Sequence, residues 1–373
     1  MPFRIAIDAS RSTKDQPTGT ETYALRLSQA LIAANEGANG PVGFSLYFRD
    51  RPSPELFAKS ANVEEIHIPF PRLWTHLRFA AELWKSRPDI TFVPAHTLPI
   101  AFPGRAIVTV HDLGFKHFPT AHPVAQRAYL DATTRYSQAR ADLVIADSQA
   151  TARDLEHFYG TPRSKIRVVY PGVDSANLRA TAEETESVRA KYKLPGRYFL
   201  YIGTLQPRKN IGRIVQAFML WRQSQRENDA MLVLAGGKGW LYDEAWLEGA
   251  SQHVHAIGYI SEADKAALLA GAIALVFPSL YEGFGFPAVE AMIAGTPVIA
   301  SNTSSLAEIV GEDGLLVDPL DSNAIAAAMS RLSDDEELRQ DLINRGFRRA
   351  ERFTWESAAE QAMSAFRELG APV

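Results

Sequence analysis

The sequence predicts an α/β protein made of two doubly wound domains, each a parallel sheet covered by helices on both faces. Three observations carry this expectation. The 373 residues, 46% hydrophobic and 22% charged, suit about two domains with a core each. Short β-branched and aliphatic runs alternate with helical patterns from end to end. The runs are nearly continuous in apolar residues, as strands buried on both faces require, rather than alternating apolar with polar.

In chain order, the apolar runs predict strands at Arg4–Ile7, Phe44–Phe48, Ile90–Val93, Ala106–Val110 and Leu143–Ala146. A second series follows at Tyr198–Ile202, Met231–Leu234, Ala274–Phe277, Pro297–Ala300 and Gly314–Val317. Apolar residues three or four apart predict helices at Thr22–Ala34, Gln126–Arg140, Ile211–Gln225 and Ala324–Leu332. The two series divide after Val169–Gly172, where Tyr170-Pro171-Gly172 ends a strand and the polar segment Asp174–Arg189 begins. The expected domains are therefore 1–172 and 173–355, followed by a terminal helix over 356–373.

The absence of cysteine excludes a disulfide framework, a thiolate metal site and a cysteine nucleophile, and fits a reducing compartment. A net charge of −4 and a pI near 6.2 give no sign of nucleic acid. Residues 1–170 carry +4 and residues 171–373 carry −8, and seven of the nine histidines lie in the first part, so the halves are expected to do different work. The opening MPFRIAIDAS is too short for a signal-peptide core, and the longest apolar runs are of strand length, so a cytoplasmic chain that does not cross a membrane is expected.

In doubly wound sheets ligands gather beyond the carboxyl ends of the strands, so the loops after each run are where chemistry is sought. The loop Ser10–Thr22 holds Gly19, either a surface turn or a place where backbone N–H groups approach an anion. His111-Asp112 directly follows a strand; a neutral His111 imidazole there can bond a substrate hydroxyl while Asp112 orients it, and His96 and His117 are lesser candidates. Gly203-Thr204-Leu205-Gln206-Pro207-Arg208-Lys209-Asn210 puts two cations at a helix start, which suits a diphosphate. Lys238 in Gly236-Gly237-Lys238-Gly239 is a minor anion candidate, because the Walker spacing and its Ser or Thr are missing. The segment Phe277–Met292 is the most informative: the strand ends, glycines free the N–H groups of Gly283, Phe284, Gly285 and Phe286, Pro287 opens a helix, and Glu282 and Glu290 flank one small-molecule site. Glu290 is placed to accept hydrogen bonds from a ribose diol; two carboxylates complementing the helix dipole is the plainer alternative.

This last segment resembles the retaining nucleotide-sugar glycosyltransferases of family four, the group-one class with the GT-B fold, whose signature is two glutamates with seven residues between them, here in EGFGFPAVE at 282–290. The resemblance runs along nearly the whole chain, through Gly19, HD at 111–112, ADS at 146–148, PGVD at 171–174, GTLQPRKN at 203–210, AGGKGW at 235–240 and GLLVDPLD at 314–321. It implies two facing Rossmann-like domains with a cleft between them, the first binding the acceptor, the second the nucleotide-sugar, and a terminal helix returning to the first. Arg208 and Lys209 would clamp the donor diphosphate at Gly203. Glu290 would hold the ribose, Glu282 and the Gly283–Phe286 loop the transferred sugar, and backbone near Gly258 and Tyr259 the base. His111 would approach the sugar from the first domain, and Gly19 would lie against phosphate or acceptor.

Many relatives carry arginine where this chain has Thr204, and no Asp-x-Asp triplet occurs, so no metal and no cofactor are expected and the charge rests on Arg208 and Lys209. VHDLGF with GTLQPRKN is similar to the mannosyltransferase branch. This implies transfer of a hexose, with GDP-mannose favoured over a UDP-sugar, to a saccharide or lipid-linked acceptor. A nucleotide-sugar epimerase and a catalytically dead binding relative are the competing expectations. Pro71–Lys85, with Trp74, Leu77 and Leu83 among Arg72, Arg78 and Lys85, either packs on its own sheet or grazes a membrane as a peripheral contact.

Overall fold

The computed structural model describes residues 3–14, 18–36, 40–121, 123–224 and 229–372. Positions 15–17 of the first loop and Gln225, the expected helix end, lie outside the described residues. The chain forms two compact units. Unit one comprises Met1–Lys116, His122–Gly172 and Phe353–Val373, and unit two His117–Ala121 and Val173–Arg352.

Unit one is built on seven parallel strands: β1 (Phe3–Asp8), β2 (Val42–Phe48), β3 (Val63–His67), β4 (Ile90–Val93), β5 (Arg105–Val110), β6 (Leu143–Ala146) and β7 (Ile166–Val168). Their order in the sheet is β3-β2-β1-β4-β5-β6-β7, so the winding reverses between β1 and β4. Unit two repeats the plan with β8 (Tyr198–Ile202), β9 (Met231–Ala235), β10 (Val254–Gly258), β11 (Ala274–Phe277), β12 (Val298–Ser301) and β13 (Leu315–Val317). Its order, β10-β9-β8-β11-β12-β13, reverses between β8 and β11. Such a reversal leaves a crevice at the carboxyl ends of the two strands that flank it, because the connections leave to opposite sides.

The central strands are buried along their whole length, as β4, β6, β8 and β11 illustrate. β7 is the strand expected to end before Tyr170-Pro171-Gly172, while two strands, β3 and β10, were not expected from the sequence, and both lie at sheet edges. There one side faces water, so Val-Glu-Glu-Ile-His in β3 and Val-His-Ala-Ile-Gly in β10 carry polar residues that dilute the apolar signal. The first helix starts at Gly19, three residues before the expected Thr22. The Glu21 carboxylate accepts from the Thr18 N–H at 3.1 Å and from the Thr18 hydroxyl, which secures that start, so Gly19 is the first helical residue and not a free loop glycine.

The last helix, Trp355–Glu368, belongs to unit one and packs on the helix Gly19–Glu36. Its Ala358, Ala359, Ala362 and Phe366 enter a core with Tyr23, Leu27, Leu31 and Phe92. The Phe366 and Phe92 rings meet edge to face at 5.4 Å. The approach is close at Gly172, where a Cβ would stand 2.2 Å from the Trp355 nitrogen. Among the described residues no helix is long and apolar enough to cross a membrane.

Candidate active site

In unit two the loops after β8 and β9 are knitted together by main chain. Gly203 donates to the Ala235 carbonyl (2.9 Å), Leu205 to that of Gly237 (2.9 Å) and Gly239 to that of Leu205 (2.9 Å). Gly236 has φ 150°, and a Cβ there would lie 2.0 Å from the Gly203 carbonyl oxygen, so only glycine permits this contact. The β8 loop closes in a short turn, Pro207–Lys209, that ends at Asn210 in the left-handed conformation (φ 65°). The buried Asn210 amide donates to the carbonyls of Pro278 (3.0 Å) and Pro319 (2.7 Å), and the Leu280 N–H donates to the Arg208 carbonyl (2.9 Å). The loops after β8 and β11, on either side of the reversal, are thereby fixed to each other.

This latch brings Arg208, Lys209 and Glu282 together. Lys209 Nζ donates to Glu282 Oε1 at 2.6 Å, and Arg208 Nη1 donates to Glu282 Oε2 at 3.2 Å and to the Tyr281 carbonyl at 2.5 Å. Burial alone would raise the Glu282 pKa, but Lys209 and then Arg208 hold it below the ordinary carboxylate value. One ionised carboxylate against two cations leaves a surplus of positive charge at the reversal.

Beyond Glu282 the loop is held from one side. The Ser305 hydroxyl bridges the carbonyls of Glu282 (2.9 Å) and Phe284 (2.8 Å), and the Glu282 N–H donates to Ser304 Oγ (3.1 Å). Among the described residues the N–H groups of Gly283 and Gly285 have no protein acceptor. Gly285 (φ 104°) then caps the helix Phe286–Ile293, with Pro287 in its first turn and the Phe286 ring edge-on to Phe284 at 5.0 Å. Further along this helix Glu290 accepts from Lys265 Nζ at 2.9 Å, and Lys265 also pairs with Glu262 at 2.8 Å. Burial raises the Glu290 pKa, and Lys265 offsets part of the rise.

Other expected contributors stand differently. In the backbone expected near the base, the Gly258 carbonyl accepts from the Gly236 N–H at 2.7 Å, while the Tyr259 side chain is exposed. The Thr204 carbonyl accepts from the Tyr201 hydroxyl at 3.1 Å. Lys238 forms an exposed pair with Glu244 at 2.9 Å.

In unit one His111 follows β5 and is buried, and the carboxylate against its ring is that of Asp147. Its Nδ1 lies 2.7 Å from Asp147 Oδ2 and its Nε2 3.2 Å from the Pro94 carbonyl oxygen, and Tyr23 packs edge-on at 4.8 Å. A carbonyl and a carboxylate only accept, so both ring nitrogens face acceptors, which favours the protonated ring. Burial opposes that charge; Asp147 outweighs it and raises the His111 pKa above 6.5. Asp112 instead accepts from the Gly114 N–H at 2.8 Å. Next to this pair His96 is neutral: its Nε2 accepts from the His111 backbone N–H at 2.9 Å, and burial followed by the His111 charge pushes its pKa down to about 3.

The residues not foreseen as site members are Asp147, Lys265, Asn210 and Ser305. Asp147 carries a readable signal, a carboxylate directly after the apolar run of β6. Lys265 carries none, since its partner is 25 residues away on another helix.

The family model "Glycosyl transferases group 1" matches residues 184–349, and "Glycosyltransferase Family 4" matches residues 17–177. Over 270 residues, 71% of each chain, the sequence is 34% identical to the O-antigen chain mannosyltransferase B of Escherichia coli. The chain belongs to the group 1 glycosyltransferases. Part of this glycosyltransferase, 129 residues or 34% of the chain and 31% of the relative, is 43% identical to an α-(1→4)-mannosyltransferase of Mycolicibacterium hassiacum. Among solved structures, sucrose-phosphate synthase of Thermosynechococcus elongatus superposes with a TM-score of 0.77 at 26% identity, covering 99% of both chains. The glycosyltransferase thus has the paired Rossmann-like domains of the GT-B class, and its family transfers sugars in glycan synthesis.

Proposed function

We propose that this glycosyltransferase moves mannose from GDP-mannose to a saccharide or lipid-linked acceptor with retention of anomeric configuration, unit two holding the donor and unit one the acceptor. The observation that carries the reading is the pair Arg208 and Lys209, latched at the β8–β11 reversal with a charge surplus beside the bare N–H groups of Gly283 and Gly285. A nucleoside diphosphate leaves with growing negative charge, and fixed cations in a partly buried site stabilise that charge without a metal or other cofactor. Glu282 orients both cations and, with the Gly283–Phe286 loop, takes hydroxyls of the transferred sugar. Glu290, neighboured by Lys265, takes the ribose, and Gly203 lets the diphosphate approach the main chain. The base lies by Gly258 and Tyr259. His111 approaches the transferred sugar from unit one, and the acceptor oxygen attacks on the face from which the diphosphate departs, giving its proton to a phosphate oxygen.

Mannose is supported by the two mannosyltransferase relatives. A thermal-shift panel of GDP-mannose, UDP-glucose and ADP-glucose tests the donor: ligand binding raises the midpoint in proportion to concentration over affinity, and GDP-mannose is expected to lead. A lead by UDP-glucose replaces the donor. An isomerised sugar formed without acceptor makes the protein an epimerase, and binding without any turnover makes it a binding relative.

We further propose a cytoplasmic site of action at the inner membrane face. Phe79 and Leu83 are buried in unit one, while Leu73, Leu77 and Trp84 on the same stretch are each more than half exposed beside Arg78 and Lys85. Co-sedimentation with vesicles containing anionic lipid, reduced by Trp84→Ser with Leu77→Ser, is the expected result.

A further inference from the structure

Val110 of β5 pairs with Ala146 of β6, so the next residue on each strand, His111 and Asp147, leaves the sheet beside the other. Their side chains are 11% and 5% exposed and meet at 2.7 Å, Nδ1 to Oδ2. The helix that follows makes no use of this carboxylate. Helix Gln149–Tyr159 takes its cap from Ser148, whose hydroxyl accepts from the Thr151 N–H at 3.1 Å. Asp147 Oδ1 is buried with no hydrogen-bond partner among the described residues. A buried charge with one oxygen unsatisfied costs stability, so for packing alone an apolar residue would serve better. What Asp147 does accomplish is to anchor one edge of the His111 ring.

We propose that Asp147 is a positioning residue for sugar transfer: it holds the His111 ring by Nδ1 and aims the Nε2 edge, as a hydrogen-bond donor, at a hydroxyl of the transferred sugar. The 3.2 Å contact of Nε2 with the Pro94 carbonyl is the longer of the two that the ring nitrogens make, and it is the one a substrate oxygen can share or replace. A charged donor holds that oxygen more strongly than a neutral one. The titratable groups around the ring are Asp147 from the end of β6, Asp112 next to it in the chain, His96 from the loop after β4 and Tyr23 from the helix Gly19–Glu36; Arg11, from the loop after β1, acts on His96. Asp147 is the one that bonds to a ring nitrogen. This rests on the assignment of His111 to the transferred sugar and adds the residue that aims it.

The test is calorimetric titration of the full chain with GDP-mannose and GDP, and with UDP-glucose and UDP, from about pH 5.5 to 8.5. Within the better-bound pair, the ratio of the two affinities separates the sugar from the nucleotide. The parent is expected to prefer the nucleotide-sugar, and His111→Asn to lower that preference about tenfold while nucleotide affinity stays in place. Asp147→Asn keeps the shape and removes the charge. It is expected to lower the preference about tenfold at the alkaline end and to regain part of it at the acid end, because without the carboxylate the ring loses its proton at least about one pH unit lower. Combined with His111→Asn it is expected to cause no further loss. Equal losses for nucleotide and nucleotide-sugar at every pH, an additive double variant, or an Asp147→Asn chain with the parent's preference throughout overturns the proposal. Failure of the His111 assignment is seen separately: binding of neither pair, a parent without preference, or a His111→Asn chain that keeps it removes the contact with the sugar, and the role of Asp147 with it, whatever Asp147→Asn does.

Discussion

Glu282 spends its single charge on two cations, and this sets what each substitution does. If the proposed function holds, Lys209→Ala removes one of the two cations beside the diphosphate and is expected to lower kcat by about 10²–10³-fold, the scale of losing one preorganised group at a developing anion; steady-state kinetics with donor and acceptor check it. Glu282→Gln leaves the cations in place without their orienting carboxylate. Because the folded-state pKa of Glu282 lies below its ordinary 4.5, its contribution to stability is present above pH 4.5 and is lost as pH falls through the folded value. The glutamine variant is therefore expected to lose less stability than the parent between pH 5 and 3 in urea unfolding. His111 works in the opposite sense. Its folded pKa is raised above 6.5, so its stabilisation is full below 6.5 and disappears as pH rises through the folded value. Urea unfolding should show the parent weakening toward alkaline pH, and His111→Asn removing that part of the slope.

At the scale of elements, the proposed donor region is a set of loops that fit only with glycine and asparagine at particular points. Gly236→Ala puts a methyl group onto the Gly203 carbonyl at a φ that alanine rarely adopts. Backbone strain alone is worth about 1–3 kcal/mol, and relief of the clash must move the β8 loop. A lowered melting midpoint together with weakened nucleotide-sugar binding is the expected pair of readouts. The sequence made the central strands legible to the residue at Ile90–Val93, Leu143–Ala146, Tyr198–Ile202 and Ala274–Phe277, because burial on both faces demands unbroken apolar runs. It hid the edge strands β3 and β10, whose polar faces meet water. The same division holds at the candidate site. Arg208, Lys209, Glu282 and Glu290 stand in local patterns of strand end, glycine and helix start, whereas the pairing of Lys265 with Glu290 and of Asp147 with His111 depends on which strands and helices become neighbours. No local pattern encodes that adjacency, so the carboxylate that meets the His111 ring is set by the fold.

Across the whole molecule, unit one depends on residues separated by nearly the full length of the chain. Phe366 packs edge to face on Phe92 of β4, and Ala358, Ala359 and Ala362 complete the core around Tyr23 and Leu27. Phe366→Ala is expected to cost about 3–5 kcal/mol, as for other large-to-small changes in a packed core. Hydrogen exchange should show the loss in β1, β2 and β4 while β8, β9 and β11 keep their protection, since the two units have separate cores.

The return of the helix Trp355–Glu368 to unit one also fixes an order of events during synthesis. A core that includes Ala358–Phe366 cannot close until those residues have left the ribosome, and by then Val173–Arg352 is already available to fold. The unit whose sheet is translated first is thus the one completed last, and until the final helix arrives the face formed by Tyr23, Leu27 and Leu31 is open to chaperones and to aggregation.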